Sequence, residues 1–236
     1  MTPTGVRIFV AIILLASSLP GIAATSEFTV VKVDTRKDRL ELFLLDQDGM
    51  PFLRLQKLDA WLKSRGETLR FAMNAGMFEP SYLPVGLFVS SGKELAPLNL
   101  KDGRGNFYMK PNGVFFVTPA GPRIVESSKY DTSASDVVLA TQSGPLLVEH
   151  DRIHPSLSAS SHSRMIRNGV GVVGNEAVFV ISNDAVTLYE LASYFRDRLG
   201  CADALYFDGV VSSILLPGER RSDSGKDIGP IIGVIQ

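Results

Sequence analysis

Three segments of the sequence share one grammar: an apolar run, then a polar residue, then a glycine. They are Phe71-Ala72-Met73 leading to Asn74-Ala75-Gly76, Val137-Val138-Leu139-Ala140 leading to Thr141-Gln142-Ser143-Gly144-Pro145, and Ala204-Leu205-Tyr206-Phe207 leading to Asp208-Gly209. Short apolar runs bounded by turn residues read as buried strands. Further runs of this kind occur at 86–90, 113–118, 146–149, 170–173 and 177–181. Residues 27–33 and 40–45 are also β-rich, and the polar stretch between them reads as the turn of a hairpin. Only two segments carry helical spacing. Leu55, Leu58, Trp61 and Leu62 recur on one face and Gly66 stops them. Thr187 and Glu190 form a capping box ahead of Leu188, Leu191, Ala192, Phe195 and Leu199, with Gly200 just past the end. The expected fold is α+β: a single domain with a large mixed or antiparallel β-sheet core and a few packed helices.

Composition narrows the function classes. Twenty-four basic against 25 acidic side chains leave a net charge of -1, without the basic excess of a nucleic-acid binder. The single Cys201 forbids an intramolecular disulfide or a multi-cysteine metal site. At the N-terminus, Arg7 precedes the apolar run 8–16, and Pro20 and Gly21 follow. The run is too short to span a bilayer, which takes about 20 apolar residues, so it reads as a secretory signal. Residues 1–23 form that signal, with cleavage after Ala23 or Ala24, and residues 24–236 form the mature domain. The expected location is periplasmic or secreted, with no membrane anchor left after cleavage.

Strand ends are where open sheets bind ligands, and glycine there permits close backbone approach. Asp208, between Phe207 and a second apolar run, is a partly desolvated carboxylate that needs a partner or a task. Arg167 opens the strand Asn168-Gly169-Val170-Gly171 and can bind a phosphate or a carboxylate bidentately, or pair with Asp208. Other chemistries fit less well. His150 and His154 flank a hairpin turn and do not share a helix face, so the sequence supports no metal site or other cofactor. Ser143 and Ser213 lack the G-x-S-x-G elbow of a serine hydrolase. Tyr82, Phe88 and Tyr108 are candidate sugar platforms, and Trp61 reads as helix packing.

The motifs M-N-A-G-M-F (73–78), G-N-F-Y-M-K-P-N-G-V-F-F (105–116), T-Q-S-G-P-L-L-V (141–148), R-N-G-V-G-V (167–172) and F-D-G-V-V-S-S (207–213), in this order, resemble the phosphodiester glycosidase family, most closely its exported bacterial branch. The resemblance implies an enzyme that hydrolyses a sugar-1-phosphodiester to free sugar and a phosphomonoester. It implies Asp208 and Arg167 as catalytic residues, and Asn74, Gly76, Gln142, Ser143, Gly144, Gly209 and Ser213 as substrate-binding ones. Ala75, Asn168-Gly169 and Val210 depart from the family pattern. Val210 is expected to resist a left-handed turn and to fill part of the sugar pocket. A phosphate leaving group departs as a stable anion, so one carboxylate and a cationic clamp can replace the usual pair of carboxylates. Glu79 is the candidate second carboxylate, with a solvated loop acid as its plainer reading. A non-catalytic periplasmic module binding cell-envelope polysaccharide is the alternative, and a metal-assisted phosphodiesterase a third class.

Overall fold

The computed structural model describes residues 1, 27–219, 221–223 and 225–236, so the apolar run and cleavage positions of the expected export signal lie outside the described residues. In chain order the elements begin with β1 (Phe28–Asp34), β2 (Arg39–Phe43), α1 (Leu55–Ser64), β3 (Leu69–Asn74), β4 (Phe88–Ser90), β5 (Lys93–Ala96), β6 (Gly113–Thr118), β7 (Gly121–Glu126) and β8 (Leu139–Ser143). They continue with β9 (Leu146–Glu149), β10 (Arg152–Ile153), β11 (Asn168–Val173), β12 (Glu176–Ser182), α2 (Leu188–Ser193), β13 (Asp203–Asp208), β14 (Ile214–Leu216), β15 (Arg221–Ser222) and β16 (Ile231–Ile235).

The fold is α+β and mostly β, with its strands divided among three antiparallel sheets. Their orders are β1-β12-β11-β13-β9-β10, β15-β14-β3-β16-β2 and β5-β4-β8-β6-β7. Side-chain alternation explains how three sheets share one core. Along β12, Ala177, Phe179 and Ile181 face inward, while Val178 and Val180 face the α2 side. Along β13, Leu205 and Phe207 face the same core, and Ala204 and Tyr206 the α2 side. Phe71 of β3 and Phe115 of β6 meet Phe179 there, with ring centroids 5.1 and 6.1 Å away. Each such buried side chain stabilises the fold by about 1.5–3 kcal/mol. Strands covered on both faces read as continuous apolar runs, which is why 204–207 and 177–181 show no polar alternation.

The expected hairpin of the first two strands does not form. β1 pairs along its whole length with β12, and β2 with β16, so the two strands lie in different sheets. The connecting turn rounds the corner between sheets, where the Asp34 carboxylate accepts the Arg36 N–H at 3.1 Å. Both helices form where the spacing places them. Leu55, Leu58 and Leu62 of α1 pack on the outer face of the second sheet, and Gly66 follows at φ 77°. At α2, Thr187 Oγ1 accepts the Glu190 N–H at 3.1 Å while the Glu190 carboxylate accepts the Thr187 N–H at 2.8 Å. Among the described residues, no helix is long and apolar enough to cross a membrane.

Candidate active site

The three strand-end motifs converge. β3 ends at Asn74, β8 at Ser143 and β13 at Asp208, and β11 begins beside them at Asn168. A buried pair of amides joins the first and third. Asn168 Nδ2 donates to the Asn74 backbone and side-chain oxygens, each at 3.0 Å, and Asn74 Nδ2 donates back to Asn168 Oδ1 at 3.3 Å. Asn168 Oδ1 also accepts the Asp208 N–H and the Ser212 hydroxyl, both at 3.1 Å. Asn74 Oδ1 accepts the Ser213 N–H at 2.9 Å. Buried amides left unbonded would each cost about 1–3 kcal/mol, so this network fixes the position of Asp208 firmly. Ser143 Oγ joins β8 to β13 by donating to the Phe207 carbonyl at 3.1 Å.

The glycines act by close approach rather than by unusual backbone angles. A Cβ at Gly76 would stand 2.5 Å from the Gln142 carbonyl, and one at Gly144 would stand 2.7 Å from the Phe107 carbonyl. A Cβ at Gly209 would stand 2.2 Å from Tyr206 Oη and 3.1 Å from Arg167 Nη1. Gly209 therefore rests directly on the Tyr206–Arg167 pair.

Several of the sequence-designated groups are engaged with the protein itself. Gln142 Oε1 accepts the Leu87 and Asn99 N–H groups at 3.0 and 2.9 Å, and its Nε2 donates to the Asn99 carbonyl and Ser127 Oγ. Ser213 Oγ donates to the Val211 carbonyl at 3.0 Å. Arg167 is 2% exposed and forms no ion pair with Asp208. Its Nε donates to the Val186 carbonyl at 2.8 Å, its Nη1 to Tyr206 Oη at 2.8 Å, and its Nη2 to the carbonyl and hydroxyl of Ser163. All four acceptors are neutral, and Nη1 keeps one hydrogen unspent. Burial pushes the Tyr206 hydroxyl far above its ordinary range, so it remains a phenol beside the guanidinium.

Asp208 differs from these groups. Its Oδ1 accepts three backbone N–H groups, from Gly209 at 2.6 Å, Val210 at 2.5 Å and Val211 at 3.2 Å. Its Oδ2 has no hydrogen-bond partner among the described residues. The carboxylate lines a cleft of ≈ 800 Å³ with Phe78, Glu79, Tyr82, Arg104, Tyr108, Val210 and Lys226. Phe78 and Tyr82 stack at 5.7 Å, and Tyr82 Oη donates to Asp227 at 3.4 Å. Arg104 and Lys226 are exposed and make no ion pair or hydrogen bond among the described residues. Phe88, expected as a platform, is instead fully buried in the three-sheet core. Val210 needs no left-handed backbone and projects outward, 60% exposed, at the cleft wall. A groove of similar size, ≈ 830 Å³, is lined by none of the candidate catalytic or substrate-binding residues.

The histidines do not assemble. His150 occupies the β9–β10 turn at φ 49°, whereas His154 is buried and accepts the Ser156 N–H at its Nδ1. Among the described residues, no group of three His, Cys, Asp or Glu side chains could hold a metal ion. Cys201 is buried, and burial pushes its thiol up to about 11, which leaves it inert.

Sequence reasoning missed Asn168 and Tyr206 beneath the cleft, and Phe78, Arg104 and Lys226 around it. Asn168 carried a signal, a polar amide beginning a glycine-containing apolar strand. Tyr206 was hidden within an apolar run, where only the two-residue period separates it from Leu205 and Phe207.

A family model for phosphodiester glycosidases matches residues 67–235, a span that contains every one of these strand-end motifs. The chain belongs to the phosphodiester glycosidase family. It is 34% identical over 220 residues to the uncharacterized protein YigE of Escherichia coli K12, covering 90% of this chain and 85% of that one. Its fold is similar to the catalytic domain of zebrafish N-acetylglucosamine-1-phosphodiester alpha-N-acetylglucosaminidase, solved in a form auto-inhibited by its pro-peptide. That match has a TM-score of 0.62 at 11% identity and covers 90% of this chain and 84% of the zebrafish chain. A hypothetical protein from Synechocystis matches at a TM-score of 0.52 and 16% identity, over 88% of this chain and 59% of its own.

Proposed function

We propose that this member of the family is an exported hydrolase that cleaves a sugar-1-phosphodiester at the bond between the anomeric carbon and oxygen. Its products are a free sugar and a phosphomonoester. The observation that carries the reading is the Asp208 carboxylate. One oxygen is fixed by three N–H groups, and the other is free to face a cleft walled by aromatic rings. Within that cleft Asp208 acts on the anomeric carbon as nucleophile or as base toward water. The sugar lies against Phe78, Tyr82 and Tyr108, whose rings suit the apolar faces of a pyranose. The phosphodiester crosses Gly209 toward Arg167, whose remaining Nη1 hydrogen meets the charge that grows on the leaving phosphate. That anion needs little protonation, which removes the demand for a second carboxylate.

Gln142, Ser143 and Ser213 take a different part from the one expected of them. Their polar atoms are spent on holding strand ends together, so they position the site rather than touch the substrate. Arg104 and Lys226 attract an anionic substrate to the cleft mouth.

The test is an assay for free sugar on a panel of sugar-1-phosphodiesters, with Asp208→Asn as the paired control. Release by the wild-type protein and none by Asp208→Asn is the expected result. Saturable binding of the same compounds with unchanged products would replace the enzyme by a glycan-binding module.

A further inference from the structure

Beside the Asp208 cleft lies a smaller recess of ≈ 260 Å³. Among the described residues, Arg167 is the only charged side chain lining it, and four serines line it as well: Ser156, Ser158, Ser161 and Ser163. Asn106 lines both the recess and the cleft, so the two adjoin at that residue. Within the recess lining, Arg167 donates from Nη1 to Tyr206 Oη, the pair on which Gly209 rests.

Three physical features bear on what the recess accepts. A guanidinium that is 2% exposed and bonded only to neutral oxygens is a buried charge without a counter-ion, which a bound anion would supply. Serine hydroxyls both donate and accept, so a ring of them suits a ligand that carries hydroxyls of its own. The volume lies below the roughly 300–1,000 Å³ of sites that enclose drug-sized ligands. Tyr189 is the single aromatic residue in the lining among the described residues, a poor surface for stacking a nucleobase.

We propose that this recess is the subsite for the phosphate and its alcohol, and that it selects a short polyol phosphate such as glycerol phosphate over a nucleotide. The inference rests on the reading of Asp208 as the group that acts on the sugar. The substrate then spans two compartments, with the sugar in the aromatic cleft, the phosphate above Gly209 and the polyol among the serines. Hydrolysis leaves the polyol phosphate in the recess as the second product.

Calorimetry on the purified protein with glycerol phosphate, a nucleoside monophosphate and inorganic phosphate tests this directly. Glycerol phosphate is expected to bind at least about tenfold more tightly than the nucleoside monophosphate. Ser161→Leu, a loop substitution that fills the recess, is expected to weaken that binding by about tenfold or more. Equal binding of the two monoesters, no binding of either, or unchanged glycerol phosphate binding in Ser161→Leu would overturn the proposal. Substrate assays separate it from the broader reading. Sugar release without preference between a sugar-1-phosphoglycerol and a nucleotide sugar would defeat the recess and leave the glycosidase standing. Selective glycerol phosphate binding with no sugar release from any phosphodiester would do the reverse.

Discussion

The floor of the Asp208 cleft and its rim differ in how many of their polar groups are already bonded. The floor is the layer directly beneath Asp208: Asn74, Asn168 and Ser213 are buried and bonded to one another, and the Asp208 N–H is held by Asn168. On the rim, Arg104 and Lys226 are exposed and unpaired among the described residues, and Glu79 is exposed beside them. A floor of fixed dipoles does not reorganise during a reaction, whereas exposed charges act mainly on encounter and are screened by salt. On the proposed function, chemistry and capture are built from separate residues. Floor substitutions should reduce kcat or stability, and rim substitutions should change KM.

The largest expected effect is that of Asp208→Asn, which keeps the shape of the side chain and removes its charge. Free-sugar release should fall by about 10²–10⁴-fold while the circular dichroism spectrum is unchanged. Next is Asn168→Ala, which strands the Asn74 amide and the Asp208 N–H in a buried setting. Chemical denaturation should register a loss of about 2–4 kcal/mol, and a loss below about half a kcal/mol would break the claim that the floor is rigid. Tyr206→Phe comes third. It removes the acceptor of Arg167 Nη1, with an expected cost of about 1–3 kcal/mol, and frees a second hydrogen on that nitrogen. The smallest effect belongs to the rim. Arg104→Ala combined with Lys226→Ala should raise KM a few-fold at low salt with kcat intact, and the difference should shrink as salt is added. A fall in kcat of the size seen for Asp208→Asn would erase the distinction between floor and rim.

The floor was legible because strand ends write themselves into sequence. Asn74, Ser143 and Asp208 each follow an apolar run and precede a glycine, and the structure brings all three together. The capping box of α2 was legible for the same reason, since its bonds are local. Long-range pairing was not. Nothing in residues 28–43 states that β1 joins β12 and β2 joins β16, because each partner lies far along the chain. The roles of the site side chains were hidden for a related reason. Gln142 read as a substrate ligand, and Arg167 as an anion clamp or a partner of Asp208, until Asn99, Ser127, Val186 and Ser163 are seen to occupy their hydrogen bonds. Phe88 was a candidate sugar platform, yet the strand that its apolar run forms lies inside the third sheet and buries the ring in the core.

The central claim is that Asp208 directs attack to the sugar carbon rather than to phosphorus. Hydrolysis of an accepted sugar-1-phosphodiester in water enriched in the heavy oxygen isotope separates the two by mass spectrometry of the products. Heavy oxygen in the free sugar and none in the phosphomonoester is the predicted result. Heavy oxygen in a phosphate product would mean cleavage at the P–O bond and would contradict the account.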